Sequence, residues 1–445
     1  MLFSRKDLTR LIVPLVIEQV LAITIGTADT MMVASVGEAA VSGVSLVDTI
    51  NILLINIFSA LATGGAVVAS QYLGRNDEEK ACGAAKQLLY VILGASILIM
   101  LIALCFRTAV LHLVFGAVEE TVMQSAKTYF WLSAVSYPFL AAYNAGAALY
   151  RAMGNSRVSM LSSVLMNCLN IAGNALLIFV FRMGVAGAAI STLFARMIGA
   201  VLMVWLIRKE ENPIHICSLF RFRLDFAMIK NILRIGVPNG LEGGMFQFGK
   251  ILTQSLIASF GTAAIAANAV ANNLASMQCL PGTAIGLAMI TVVGRCVGAG
   301  DKEQAKSYTK KLLAMASGMM FFVVILTAGF ARPIISLYGL SGETSRIARE
   351  LIMYHSVMCV IIWPLSFVLP NGLRAASDVR YPMLISIISM WTWRIGLSYV
   401  LGSWLNMGVL GVWIAMTADW TFRALLFTIR FLRGKWLTKY EGGTY

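Results

Sequence analysis

The sequence predicts an all-α polytopic membrane protein with twelve transmembrane helices in two pseudo-symmetric six-helix bundles. Composition, a regular succession of apolar runs and an internal repeat support this prediction. Hydrophobic residues occupy 59% of the 445 positions and charged residues 13%, with a mean hydropathy of +0.79. A soluble domain is about 45–50% apolar and about 25% charged. The excess falls into long uncharged runs, which a soluble core does not explain.

The apolar runs have the length of membrane spans. About 20 apolar residues cross a hydrocarbon core of about 30 Å as a helix, and helices satisfy their own backbone polar groups there. The turn signal at 260–262 divides the long uncharged interval 251–294. We predict spans near 10–34, 47–71, 87–107, 128–150, 158–181, 185–207, 232–258, 264–294, 311–331, 351–373, 381–403 and 407–430.

Charge in the loops predicts the orientation. Lys and Arg concentrate in alternate short loops and in both termini, so both termini are predicted to be cytoplasmic at a cell inner membrane. The net charge of +14 then reflects topology and lipid headgroups, and we expect no nucleic-acid partner. The predicted organisation is a first lobe at 1–207, a cytoplasmic linker at 208–231, a second lobe at 232–433 and a cytoplasmic tail at 434–445. The first span carries acidic residues, so we interpret it as a working helix and not as a signal peptide.

The two halves of the chain repeat each other. A shift of 224 residues pairs prolines, glutamates, glycines and aspartates without a gap over the 68 positions 14–81, including Pro14 with Pro238, Glu18 with Glu242, Gly37 with Gly261, Gly74 with Gly298 and Asp77 with Asp301. Each half holds six spans, an even number, so both have the same membrane orientation. Repeats of this kind are typical of secondary transporters.

The sequence contains no motif of an enzyme. We find no GxxxxGK[ST] motif for ATP and no Ser/His/Asp or metal constellation, so an ion gradient is the expected energy source, without a cofactor. The three histidines lie far apart, and the cysteines lack CxxC or framework spacing. We therefore predict no metal site and interpret the cysteines as small core residues: Cys82, Cys105, Cys168, Cys217, Cys279, Cys296 and Cys359.

Several motifs resemble those of the multidrug and toxic compound extrusion (MATE) family. The first span reads PLVIEQ from Pro14 and TADTMMVA from Thr27, similar to the first helix of MATE transporters. The loops 151–157 and 374–380 resemble the paired R-x-x-G-D/N-x-R loops, with Ser377 in place of the glycine in the second. The resemblance covers essentially the whole chain, including helix count and duplication.

The resemblance implies a function. It implies export of small amphipathic, often cationic compounds in exchange for H⁺ or Na⁺, by two bundles that alternate between outward and inward openings among membrane lipids. We expect a monomer. A flippase for lipid-linked saccharides has the same fold but needs a strongly cationic cavity. A membrane-embedded transferase is less favoured, because it needs a cluster of catalytic residues that the sequence does not show. A channel is less favoured as well, because two long similar halves suit alternating access better than a static pore.

Charged residues in the first span are the leading candidates for ion coupling, because a charge at mid-bilayer is costly. Asp29 matches the acidic residue of the family's first helix. Glu18 lies eleven residues earlier, on the same helical stripe and about 16 Å away along the axis. We expect Glu18 to serve the inner half of a pathway and Asp29 the outer half. Protonation of such a carboxylate would release a bound cation. Asp29→Asn should abolish coupled efflux without preventing insertion.

The second lobe offers related candidates. Glu242, at the repeat position of Glu18, is expected to face the cleft, and Glu242→Gln should abolish efflux only if this lobe shares in coupling. Lys250 is too far from Glu242 for a direct pair unless the helix breaks at its glycines, which are alternatively packing positions. Pro14 and Pro238 are candidate hinges, although Pro14 is also compatible with an ordinary first turn.

Polar residues near the family's cation site complete the set. Asn170, Asn174 and Thr192 resemble its first-lobe positions, although the DinF branch has an aspartate where this chain has Asn174. Acids of the NorM branch fall on Phe246 and Trp363, which puts a second-lobe sodium site in doubt unless Glu242 replaces it. The remaining charges within spans are interpreted as structural ion pairs: Arg196, Arg394 and Asp419.

Overall fold

The computed structural model describes residues 2–116, 119–216, 223–438 and 440, without the side chains of residues 25–30 and 115. All regular secondary structure in these ranges is helical. The helices of the first half are α1 (Arg5–Ala34), α2 (Glu38–Gly74), α3 (Glu78–Cys105), α4 (Arg107–Phe115), α5 (Glu120–Val135), α6 (Tyr137–Ala152), α7 (Ser156–Val180) and α8 (Gly184–Ile207). Those of the second half are α9 (Phe226–Ala258), α10 (Thr262–Gly298), α11 (Lys302–Gly329), α12 (Ala331–Ser336), α13 (Gly342–Ala375), α14 (Arg380–Trp404) and α15 (Gly408–Leu432).

Each of the twelve predicted spans coincides with one of these helices or with a helix pair, so the predicted fold class is confirmed. The fourth span is the pair α5–α6, interrupted at Ser136, and α4 and α12 are short additions. Within the described ranges, nine helices are long and apolar enough to cross a membrane, namely α2, α3, α7, α8, α10, α11, α13, α14 and α15. The division between α9 and α10 falls at residues 259–261, as the turn signal predicted.

The repeat of the sequence is a repeat of the backbone. The helices α2 and α10 both have 37 residues, and α3 and α11 both have 28. The loops agree as well: Arg182 and Asn406 both have a φ of 52°, and Gly184 and Gly408 both have a φ of 57°. Equal lengths and matching left-handed turns mean that the two halves fold as copies of one unit.

Matching caps begin the third helix of each half. The Asp77 carboxylate accepts a hydrogen bond from the Lys80 backbone N–H at 3.0 Å, and that of Asp301 accepts one from Gln304 at 2.9 Å. Such a cap satisfies one free N–H of the first turn. The backbone and side-chain hydrogen bonds from Gln304 hold the pKa of Asp301 below its usual range. These caps lie in the predicted cytoplasmic loops.

Gly300 provides a test of the loop geometry. It has a φ of +76°, and an added Cβ would meet nothing within 4 Å, so Gly300→Ala should cost about 1–2 kcal/mol through backbone strain alone. Gly318, in the middle of α11, is equally open, and Gly318→Ala should instead stabilise by about 0.5–1 kcal/mol. Thermal midpoints in detergent should therefore shift in opposite directions. A shift of the thermal midpoint in the same direction for both variants would contradict the left-handed backbone conformation of Gly300.

The chain divides into two compact units within α9. One unit is Arg5–Gly240, and the other is Leu241–Tyr445 together with Met1–Ser4. The start of α9 packs on α2 of the first unit, where a Cβ on Gly64 would lie 2.6 Å from the Ile232 carbonyl oxygen. Gly236 of α9 lies at the same contact, where an added Cβ would be 3.1 Å from the Leu61 Cα, so this glycine serves packing. A Cβ on Gly249 would lie 2.4 Å from the Met390 sulfur, and α9 continues without a break.

Both candidate hinge prolines lie inside long helices. The helix α1 begins at Arg5, so Pro14 sits well beyond the first turn, and the first-turn interpretation is wrong. Pro238 occupies the corresponding place in α9. An internal proline removes one helical hydrogen bond and weakens the helix at that point. Both positions therefore remain candidate hinges.

Three spans contain π-helical segments. They occupy residues Ala175–Val180 of α7, Pro364–Val368 of α13, and Met390–Gly396 and Tyr399–Trp404 of α14. The segments at 175–180 and 399–404 are repeat-related. Wider turns of this kind are rare and are frequently found at functional sites.

Candidate functional site

Glu18 belongs to a small polar cluster in the first unit. Its carboxylate accepts hydrogen bonds from the Ser159 hydroxyl at 3.3 and 3.1 Å. The Arg151 guanidinium lies 3.8 Å from Glu18 and donates to the same serine at 3.0 Å. One carboxylate therefore connects α1 with α6 and α7. One arginine opposes its charge.

The amide candidates lie between α7 and α8. Asn170 donates to the Thr192 hydroxyl at 3.0 Å, and its carbonyl oxygen accepts from Ser191 at 2.7 Å. Thr192 also donates to a carbonyl of its own helix. Asn174 is fully buried one turn further along. The structure thus brings Asn170 and Thr192 into direct contact, as their resemblance to family positions implies.

The leading candidate, Asp29, lies within α1, but its side chain is outside the described residues. A further acid in the first unit was missed by sequence reasoning. Asp48, in α2, accepts a hydrogen bond from Asn51 at 3.1 Å, and Asn51 accepts one from the Tyr137 hydroxyl at 3.1 Å. Its position inside a predicted span was the signal that could have identified it.

Glu242 is enclosed within the second unit. Its carboxylate contacts the Arg374 guanidinium at 2.6 Å and the Arg423 guanidinium at 3.6 Å, and it accepts from the Ser386 hydroxyl at 2.7 Å. Its exposed fraction is 8%. We expected this carboxylate to face a cleft. The structure instead surrounds it with two buried arginines, a partnership that the sequence spacing did not indicate.

A polar cavity of about 200 Å³ lies in the second unit. Its lining includes Lys250, Arg394 and a hydrogen-bonded chain in which Trp413 donates to Asn268 at 2.9 Å and Asn268 donates to Gln254 at 3.1 Å. Lys250 is an exposed residue on this cavity and contacts no carboxylate within 4 Å among the described side chains. Two cations therefore dominate the electrostatics of the lining.

Aromatic rings occupy the positions where the NorM branch has acids. The Lys250 ammonium lies 5.3 Å from the centre of the Phe246 ring, and the Arg394 guanidinium lies 4.9 Å from it. Trp363 stacks on Phe367 at 4.9 Å. A ring face attracts cations through its quadrupole. The region therefore holds the protein's own cations and has no carboxylate at these two positions.

Partners of three further charges inside the spans are visible in the structure. Asp419 is fully buried, accepts from Ser389 at 2.6 Å and lies 3.5 Å from Arg394. Arg196, which we also interpreted as part of a structural ion pair, instead donates to the Ser136 hydroxyl at 2.7 Å, and none of the ion pairs among the described side chains includes it. The interpretation of Arg394 and Asp419 as a structural ion pair agrees with this geometry, although Arg394 also reaches the cavity.

Comparison with known proteins identifies the family. The MatE family model matches residues 14–176 and 238–400, one match in each half. An uncharacterized transporter of Bacillus subtilis, YisQ, is 30% identical over 436 residues, 96% of this chain and 94% of that protein. The probable multidrug resistance protein NorM of Thermotoga maritima is 27% identical over 446 residues, 97% of this chain and 93% of that protein.

Solved structures show the same fold. A multidrug resistance MATE family transporter of the MOP superfamily in an outward-facing conformation superposes with a TM-score of 0.88 at 20% identity, covering 98% of this chain and 96% of that one. A MATE protein in the bent conformation gives 0.87 at 20% identity, with the same coverage. The duplicated family match, the full-length relatives and the common fold agree, and the chain is a membrane transporter that belongs to the MATE family.

Proposed function

We propose that this protein exports amphipathic, often cationic compounds in exchange for H⁺ or Na⁺, with the coupling site in the first unit. It works as a monomer in the cell inner membrane, with both termini in the cytoplasm. Family membership and the multidrug resistance names of its relatives support the export of small molecules. A saccharide-lipid flippase is not favoured, because these relatives are named for drug resistance.

The single observation that carries the proposal is a difference in charge between repeat-related positions. Under the 224-residue shift, Asp29 corresponds to Thr253 and Asp48 corresponds to Asn272. Both Thr253 and Asn272 line the second-unit cavity. The first unit therefore carries acids at positions where the second unit carries neutral residues.

The cations show the opposite distribution. Lys250 and Arg394, which line the same cavity, correspond to Gly26 and Asn170 of the first unit. At about 8 Å and an effective dielectric of about 20, one cation raises the energy of a second by about 2 kcal/mol. The second-unit cavity therefore disfavours a bound cation. The equivalent positions of the first unit, with two acids and an amide, favour one.

These assignments give each candidate a role. Asp29 is proposed to hold the coupling ion or proton, with Asn170, Asn174 and Thr192 as the neighbouring polar ligands. Glu18 links three helices on the predicted cytoplasmic side. Lys250 sets the polarity of the second unit. Pro14 and Pro238, at repeat-related places in α1 and α9, are proposed as the points where these helices bend.

Transport of a fluorescent cation, such as ethidium, from proteoliposomes tests the proposal. The wild-type protein should expel the dye when either a proton gradient or a sodium gradient is imposed, and collapse of that gradient by an ionophore should stop transport. Liposomes without protein provide the control. Absence of efflux under both gradients, from protein that is folded and inserted, would overturn the proposal.

A further inference from the structure

Three soft metal ligands meet inside the second unit. Cys279 of α10 and His355 and Cys359 of α13 place their Sγ and Nε2 or Nδ1 atoms within 4.8 Å of one another. Cys279 Sγ lies 4.0 Å from His355 Nε2. His355 and Cys359 are four residues apart and therefore lie on one face of α13. Only the tertiary structure brings Cys279 to that face.

The hydrogen bonds around Gln278 determine the histidine tautomer. Thr327 and Ser356 each donate their hydroxyl proton to a carbonyl of their own helix, at 2.9 and 2.7 Å. Their oxygens must therefore accept from the Gln278 amide nitrogen, at 2.7 and 2.8 Å. The Gln278 oxygen then faces His355 Nδ1 at 2.7 Å, so Nδ1 carries the proton. His355 Nε2 is left with its lone pair toward Cys279.

This arrangement is the one that metal-binding histidines use. A ligating imidazole donates its other N–H to an acceptor, which fixes the ring and its tautomer. Two tryptophans hold the ring further, with Trp413 and Trp420 edge-on at centroid distances of 5.7 and 5.4 Å. His355 is 1% exposed and Cys359 fully buried. The imidazole is thus oriented in advance for a metal.

The surroundings also provide access. Ser276, one turn before Cys279 in α10, lines the polar cavity, as does Trp413, which contacts His355. Cys279 itself is partly exposed. The three ligands lie beside the cavity and do not line it, so an ion would enter through the partly exposed Cys279, and a solvent molecule would complete a tetrahedral set.

We propose that Cys279, His355 and Cys359 form a Zn²⁺ site that links α10 to α13. Zinc favours tetrahedral coordination by thiolates and imidazole. Two thiolates with one Zn²⁺ give a neutral complex, which suits a buried location. Binding releases the two thiol protons, and the metal takes their place. This proposal departs from our expectation of no metal site, and it is independent of the proposed transport function.

Cobalt provides the direct probe. Purified full-length protein in reducing buffer, with Cys82→Ser to remove a thiol 3.9 Å from His215, should bind one equivalent of Co²⁺. Thiolate-to-cobalt charge transfer and intense tetrahedral d–d bands should appear. Zn²⁺ should displace the cobalt, and about two protons should be released per metal ion.

Variants separate this site from adventitious binding. Cys279→Ser and Cys359→Ser should each abolish the charge-transfer band, whereas Cys296→Ser, a buried thiol of the same α10, should leave it unchanged. Gln278→Ala should lower the affinity about 10- to 100-fold while the spectrum persists. If either serine variant fails to give a monodisperse protein, the alanine variant replaces it. A charge-transfer band that survives loss of Cys279 or Cys359, or its absence in the parent protein, would overturn the proposal.

Discussion

Glu242→Gln should destabilise the protein by about 3–5 kcal/mol, because it leaves two buried arginines without a counter-charge. Arg374 and Arg423 have side-chain exposures of only 10% and 3%. A glutamine can still accept the Ser386 hydrogen bond, but it supplies no negative charge. Unfolding midpoints in detergent, with the yield of monodisperse protein, measure the effect.

The repeat provides a matched control for this prediction. Glu18→Gln alters the corresponding residue of the first unit, where one arginine lies 3.8 Å away. The residue that corresponds to Arg423 is Gly199, so the loss should be nearer to 1 kcal/mol. Equal destabilisation by the two substitutions would show that Arg423 adds nothing to the need for a carboxylate at Glu242.

Asp29→Asn should reduce gradient-driven efflux at least about 100-fold while the protein still inserts and folds. The amide cannot bind and release a proton, and it offers a cation no counter-charge. Asparagine retains the shape of the aspartate side chain, so a loss of efflux is due to the loss of its negative charge. The measurement is the initial rate of dye efflux from proteoliposomes, normalised to the amount of inserted protein, for the variant and for the wild-type protein.

The repeat again supplies the comparison. Thr253→Val changes the corresponding position of the second unit, where we propose no coupling site, and should leave the driven rate within about twofold. Asp48→Asn introduces the residue found at the corresponding position 272. It should weaken coupling if Asp29 and Asp48 act together. Retained coupling in Asp29→Asn, or a comparable loss in Thr253→Val, would move the coupling site away from the first unit.

The fold was predictable from the sequence for a physical reason. In a bilayer, each span must be apolar and helical over a fixed length, so the apolar runs of the sequence indicated all twelve spans. Gly261 and Gly408, for example, mark the starts of α10 and α15, where the structure has left-handed φ values of 100° and 57°. Repetition of these signals after 224 residues gave the two-lobe organisation.

The candidate site was predictable only in part. Asn170 and Thr192 are 22 residues apart, and family resemblance alone indicated that they belong together. Asp48 was overlooked although it lies in a predicted span. For Glu242, the sequence indicated a charge that needs a partner but not which partner.

The sequence by itself determined the class of the molecule, its spans, its duplication and its family, because each depends on local hydrophobicity and on the order of residues along the chain. Tertiary structure alone decided which side chains meet. It enclosed Glu242 between Arg374 and Arg423, and it brought Cys279 to the face of α13 that carries His355. Contacts between distant helices depend on how those helices pack, and spacing along the chain does not encode that.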